Sequence, residues 1–181
     1  MALWRANGYG RTTVADICRA AGVSKALFYF YFPRKEDVLL EVGVLSTDAA
    51  HGVAIEMLAK PYDVSSVIAA VLTSLENTMR SSPPELIIKA ILEGYRQALA
   101  GHDHLDRTSL IFAEVFERAQ RDGKLPPDLD VAHVAKVAQS LVSEGARTWA
   151  AGAYGDQSFA EVVGRDIAAL VAGYSAASAA S

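Results

Sequence analysis

Apolar residues recur along most of this chain at spacings of three and four, the period of a helix, and almost nowhere in the alternation of a strand. The pattern predicts one long helix from about Arg34 to Leu58, closed by Lys60-Pro61. A second fits Val64 to Arg80 and ends at Ser81-Ser82-Pro83-Pro84. Pro84-Glu85 opens a third, to about Ala100, and Asp103 with Asp106 caps a fourth, to about Arg121, which Gly123 and Pro126-Pro127 close. Asp130 caps a fifth, to about Ala151, and the last fits Ser158 to about Tyr174, before an Ala/Ser tail expected to fray. Proline and glycine stand between helical patterns rather than within strands. The fold class expected is all-α.

Ahead of the long helix lies a denser pattern, Gly10 to Asp37. Thr13 is an N-cap residue with Asp16 three positions on, a capping-box arrangement. Val14, Ile17 and Ala21 then share one helical face, and Gly22 stands where a helix needs a left-handed closing residue. Val23 can fill the gap between helices, Ser24 caps the next, and Phe28 and Phe32 lie four apart. Pro33 stops that second short helix, and Glu36 and Asp37 suit the positive end of the one that follows. Two short helices joined by a glycine turn form a helix-turn-helix, which points to DNA.

Charge changes the picture in the same direction. The 181-residue chain is acidic, at −4, yet residues 1–35 hold Arg5, Arg11, Arg19, Lys25, Arg34 and Lys35 against Asp16 alone, a balance of +5. The remainder stands at −9. A basic head on an acidic body suits a polyanionic partner, although a basic end can also be plain solvated surface. The hydrophobic content of 51% supports a substantial core. No apolar run of bilayer length and no signal-peptide core is read here, and the single cysteine, Cys18, excludes an internal disulfide. Cys18 reads as a small apolar residue of the helix-turn-helix core, with a redox switch as the other reading.

Thr-Val-Ala-Asp-Ile, Ala-Gly-Val-Ser-Lys, Leu-Phe-Tyr-Phe-Tyr-Phe and Arg-Lys-Glu together resemble the DNA-binding head of the TetR family of bacterial repressors, over roughly residues 7–42. The Phe-Tyr-Phe-Tyr-Phe-Pro run is also similar to the ethionamide-repressor subgroup. The resemblance implies a helix-turn-helix domain at 1–42 and a helical ligand-binding and dimerisation domain at 43–181. It implies DNA contacts from Arg11, Thr12, Thr13, Ser24, Lys25, Ala26, Leu27, Tyr29, Tyr31 and Lys35. Thr13 would offer hydroxyl and backbone N–H to one phosphate, Lys35 would hold another, and the Tyr29 and Tyr31 phenols would reach the backbone. Such contacts position a head without reading sequence. Ser24, Lys25, Ala26 and Leu27 would face the bases, Lys25 towards guanine and Ala26 and Leu27 towards thymine methyls. Leu27 stands where the family usually has a hydroxyl residue and Tyr31 where it often has histidine. The family also has a full first helix before the Gly8-Tyr9-Gly10 turn, where this chain has only Met1 to about Ala6; a shortened helix would weaken the head.

In the body, Val131, Val134, Val137, Ala138, Leu141 and Val142 share one face of their helix, and Phe159, Val162, Val163, Ile167, Leu170 and Val171 share one of the next. Interleaved alanines and glycines permit close approach. The resemblance makes this pair a dimer interface carried by Val134, Leu141, Val163, Ile167 and Leu170; an ordinary intrachain core is the alternative. Met57, Met79, Leu92, Tyr95, Phe112, Phe116 and Trp149 would wall a pocket for a small apolar inducer, or simply pack as core, with Asn77 and Gln97 as candidate polar anchors. His102-Asp103-His104-Leu105-Asp106 could be read as a metal cluster, but residues two apart do not share a helix face and capping explains both carboxylates. His51 and His133 stand alone, and no constellation of catalytic geometry is found. No cofactor, metal or enzymatic activity is expected. The partners expected are double-stranded operator DNA, a small apolar ligand and a second copy of the chain, in the cytoplasm and away from membrane. The alternative is a helical ligand-binding or scaffold dimer whose shortened first helix has cost it useful DNA binding.

Overall fold

The computed structural model describes residues 2–100 and 106–178. Among them the chain forms nine helices: α1 (Ala2–Asn7), α2 (Val14–Ala21), α3 (Lys25–Tyr31), α4 (Asp37–Leu58), α5 (Val64–Arg80), α6 (Pro84–Leu99), α7 (Asp106–Arg121), α8 (Val131–Ala150) and α9 (Phe159–Ser178). The punctuation acts as the sequence predicts. The Asp63 side chain accepts from Ser66 N and that of Asp130 from His133 N, each capping its helix. Ser158 and Glu161 exchange hydrogen bonds ahead of α9 in the same manner. α9 runs past Tyr174 to Ser178, through part of the segment expected to fray; the alanines there are strong helix formers. Asp103 and the His102–Leu105 run lie outside the described residues.

The body core collects Ala50, Ala54 and Leu58 of α4, the Val67–Leu75 face of α5, Phe112, Val115 and Phe116 of α7, and the inner faces of α8 and α9. α8 and α9 cross very closely at Gly145, where a Cβ would meet Val163 Cγ2 at 2.3 Å. Beside that crossing, buried Glu76 accepts from Ala160 N at 2.9 Å and from Arg80, so a carboxylate answers the positive end of α9.

Close packing of α8 and α9 corrects the expected dimer face. Val134, Val163 and Ile167 are fully buried inside one protomer, while Leu141 and Leu170 are half-buried against the same core. The wide apolar stripes are used by α5, α7 and each other. What α9 leaves exposed is a row of small residues that includes Ala168, Ala169, Ala172 and Gly173.

α4 corrects a second expectation. Its 22 residues include a window of mean hydropathy 1.4, which by length and composition alone is enough to cross a membrane. In the fold its carboxy-terminal half packs into the bundle through Ala50, Ala54 and Leu58. α4 is continuous across residue 42, so the expected boundary between head and body falls within a helix and not in a linker.

Candidate nucleic-acid interface

α2, the Gly22 turn and α3 build the helix-turn-helix from local chemistry. Thr13 accepts from Asp16 N at 3.2 Å, and Asp16 Oδ2 accepts from Thr13 N at 3.0 Å, which closes a complete capping box. Hydrogen bonds from Thr13 hold the Asp16 carboxyl below its usual range. Gly22 takes φ 67°, left-handed, and the chain turns into Ser24, whose Oγ accepts from Leu27 N. Cys18 and Phe28 are buried between the helices, so Cys18 packs as the sequence suggests.

With Phe28 turned inward, the rest of α3 stands free. Ser24, Lys25, Ala26, Leu27, Tyr29 and Tyr31 are all exposed, on the surface expected of them. Phe30, which the sequence reading passed over, is the most exposed of these aromatics at 78%. Its signal was present: it lies two positions from Phe28 and thus on the opposite side of the helix.

The loop before α2 differs from expectation. Thr12 is buried, and its hydroxyl donates to Gly8 O at 2.8 Å. Lys35 points into the head: Nζ donates to Tyr9 O at 3.0 Å and Thr12 O at 3.1 Å, and lies 4.0 Å from the Tyr9 ring centroid. Both donors of Thr13 are directed to Asp16. Arg11 is exposed and spends its Nε on Asn7 O at 2.8 Å. Of the phosphate-facing group, Arg11, Tyr29 and Tyr31 are therefore presented outward, Thr13 is committed to its cap, and Thr12 and Lys35 brace the loop.

A small second core joins this head to α6. Trp4, Tyr9, Leu39 and Leu86 are buried together, with Ile17, Val38 and Ala90 against them. Tyr9 N donates to Glu85 Oε1 at 3.3 Å and Tyr9 OH to Glu36 Oε1 at 3.0 Å. Burial, then the Glu36 bond, pushes the phenol upward. Next to this core, Arg34 donates to Asp37 Oδ1 at 2.8 Å and pairs closely with Glu93, which also accepts from Arg96 Nε at 2.9 Å. Hydrogen bonds from Arg96 and then Arg34 hold the buried Glu93 carboxyl below its usual range. Gln97, a candidate ligand anchor, instead donates to Asp37 and Glu93.

The expected ligand-facing residues do not converge. Phe112 and Phe116 are fully buried core, Met57, Met79 and Trp149 pack partly buried against it, and Leu92 and Tyr95 are exposed on α6. A separate open groove of about 590 Å³ lies between α4 and α5, lined by Val53, Ala70, Thr73, Ser74, Asn77, Thr78 and Ser81. Asn77, an expected anchor, lines this groove. His51 pairs with Glu114 at 2.6 Å and His133 with the Tyr174 hydroxyl at 3.1 Å. Among the described residues no cluster could hold a metal ion.

Residues 1–42 match the family described as bacterial regulatory proteins, tetR family. No curated protein matches the chain. Among solved structures, FadR of Thermus thermophilus, a TetR-family transcriptional repressor in complex with lauroyl-CoA, is 22% identical, with a TM-score of 0.75 over 94% of this chain and 88% of that one. FadR of Bacillus halodurans, a fatty acid degradation regulator, is 20% identical, with a TM-score of 0.67 over 94% and 89%. PfmR of Thermus thermophilus, a TetR-family regulator, is 21% identical, with a TM-score of 0.53 over 94% and 93%.

Proposed function

We propose, from the match of residues 1–42 to the tetR family of bacterial regulatory proteins, that the chain is a ligand-responsive transcriptional repressor. It binds a near-palindromic operator as a dimer in the cytoplasm and is released by a small apolar ligand. One observation carries the reading. A capped helix-turn-helix leaves the outer face of α3 exposed, within residues 1–35 of net charge +5. Arg11, Ser24, Lys25, Ala26, Leu27, Tyr29 and Tyr31 are the proposed contact set.

α4 and α6 supply the route from ligand to head. α4 carries Leu39 in the head core and Ala50 to Leu58 in the body core. α6 holds the head through Glu85, Leu86, Ala90 and Glu93, and packs on α4 and α8 within the body. A ligand that displaces α6 moves the head with it. The free state favours a spacing of the two heads that fits operator half-sites about 34–36 Å apart, and the ligand favours another. A ligand with an apolar acyl chain is the class to examine first, and lauroyl-CoA, a larger and anionic carrier of such a chain, is the probe, since it occupies the similarly folded Thermus repressor.

The experiment is an anisotropy titration of labelled duplex from the promoter next to the gene, at rising salt, with and without lauroyl-CoA. Tight, salt-dependent binding that lauroyl-CoA releases supports the reading in full. Binding that no acyl-CoA alters removes the ligand class, and no binding at low salt removes the regulator.

A further inference from the structure

The outer ridge of α3 is apolar, which is unusual for a surface that must read bases. At about 100° per residue, Ala26 and Phe30 both lie about 160° from Phe28, one on either side, so they centre the outward face. Leu27 and Tyr29 flank them, 45% and 50% exposed. Phe30 is 78% exposed and its ring meets the edge of Tyr31, with centroids 5.1 Å apart and planes at 88°, so the neighbour limits its rotation. Polar readout from this ridge is thin. Ser24 Oγ is engaged with Leu27 N, and Lys25 is the one cation of α3, at its amino-terminal edge.

An exposed phenylalanine on a solvated helix needs a partner, and the charge around it selects which. Residues 1–35 carry +5, and Arg19 on α2 is exposed while paired with Asp16. The partner is therefore polyanionic and offers small apolar projections inside a channel wide enough for a helix. The major groove of B-DNA meets both conditions, and its apolar projection is the thymine 5-methyl group. We propose that Phe30 is a specificity-determining residue, which selects half-sites by contact with thymine methyls while Ala26 leaves room for the base edges to approach. This rests on the DNA-binding reading above.

Deoxyuridine isolates the claim, because it keeps every hydrogen-bonding group of thymine and lacks only the methyl. The full chain selects duplexes from a randomised pool, and the selected duplex is then remade with deoxyuridine at every thymine. Each methyl buried against Phe30 is worth about 4-fold in affinity. The unmodified chain is expected to prefer the thymine duplex by at least that ratio. Phe30→Ala should lose most of the preference at an unchanged salt slope, and Phe30→Leu should keep more of it. The side chain is exposed, so circular dichroism melting should show both variants folded. Equal affinity of the unmodified chain for both duplexes overturns the proposal, as does a preference that survives undiminished in Phe30→Ala, or a selected consensus without thymine. No binding to any duplex at low salt removes the DNA-binding reading itself, and this proposal with it.

Discussion

Lys35 shows how a single side chain can serve a surface it does not face. Two of the three donors of its ammonium group go to the Tyr9 and Thr12 carbonyls, and its charge rests on the Tyr9 ring. Family resemblance assigns it to a phosphate; the structure makes it the tie that holds the loop bearing Arg11. The two roles separate in a salt titration, because each phosphate contact contributes about 0.9 to the slope of log K against log salt. Lys35→Ala should weaken binding to all sequences while the slope stays nearly constant. Arg11→Ala should lower the slope by about 0.9. Tryptophan emission gives an independent reading, since Trp4 is buried 5.4 Å from Tyr9 between ring centroids. Emission from Lys35→Ala should shift to the red as the loop loosens. A slope that falls in Lys35→Ala, with emission unmoved, would return Lys35 to the phosphate. Lys25→Ala belongs to a third class: a base contact, costing about 1–3 kcal/mol at one position of the operator.

At the scale of elements, α6 holds the head by a buried carboxylate. Glu93 accepts from Arg96 and Arg34, and both bonds favour its charged form. A carboxyl depressed in the folded state stabilises it above the ordinary carboxylate value, about 4.3, and that contribution is lost as pH falls through the lower folded value. Glu93→Gln keeps the shape and removes the titration. The unmodified chain should thus lose head protection in hydrogen exchange as pH drops below about 4.3, and Glu93→Gln should show weaker protection at neutral pH with a flatter acid profile. Identical profiles would mean that the apolar contacts of Trp4, Tyr9 and Leu86 hold the head unaided. None of this attachment was legible in the sequence, for a physical reason. Caps and breakers act over three or four residues, so Thr13 with Asp16, Gly22, Ser24, Pro33 and Asp130 revealed nearly every helix end. Arg34 and Glu93 are 59 positions apart, and no local pattern announces such a pair. The same limit hid the inward turn of Thr12 and Lys35, and let Val134, Val163 and Ile167 be read as an outer face when α5 and α7 were there to cover them.

At the scale of the whole molecule, repression of a palindromic site requires two heads held at a fixed distance, so assembly and DNA binding are linked. A second copy has little apolar side chain to grip on α9 beyond its flat row of Ala168, Ala169, Ala172 and Gly173, which lets two helices approach closely. A bulky charge on this row should separate the copies without disturbing the core, whereas the same change one position away should unfold the chain. Ala168→Glu is therefore expected to give a folded monomer by light scattering and circular dichroism, and Ile167→Glu, at a fully buried site, to give an unfolded or aggregated chain. Linkage then fixes the DNA result. Joining two heads raises the effective concentration of the second by orders of magnitude, so the Ala168→Glu monomer should bind a full operator no better than an isolated half-site. Its affinity for a half-site at low salt should equal that of one head in the unmodified chain, because α3 and Phe30 are untouched. If Ala168→Glu remains a dimer with full operator affinity, the second copy does not dock on this row, and the contact surface must be sought elsewhere on α8 and α9.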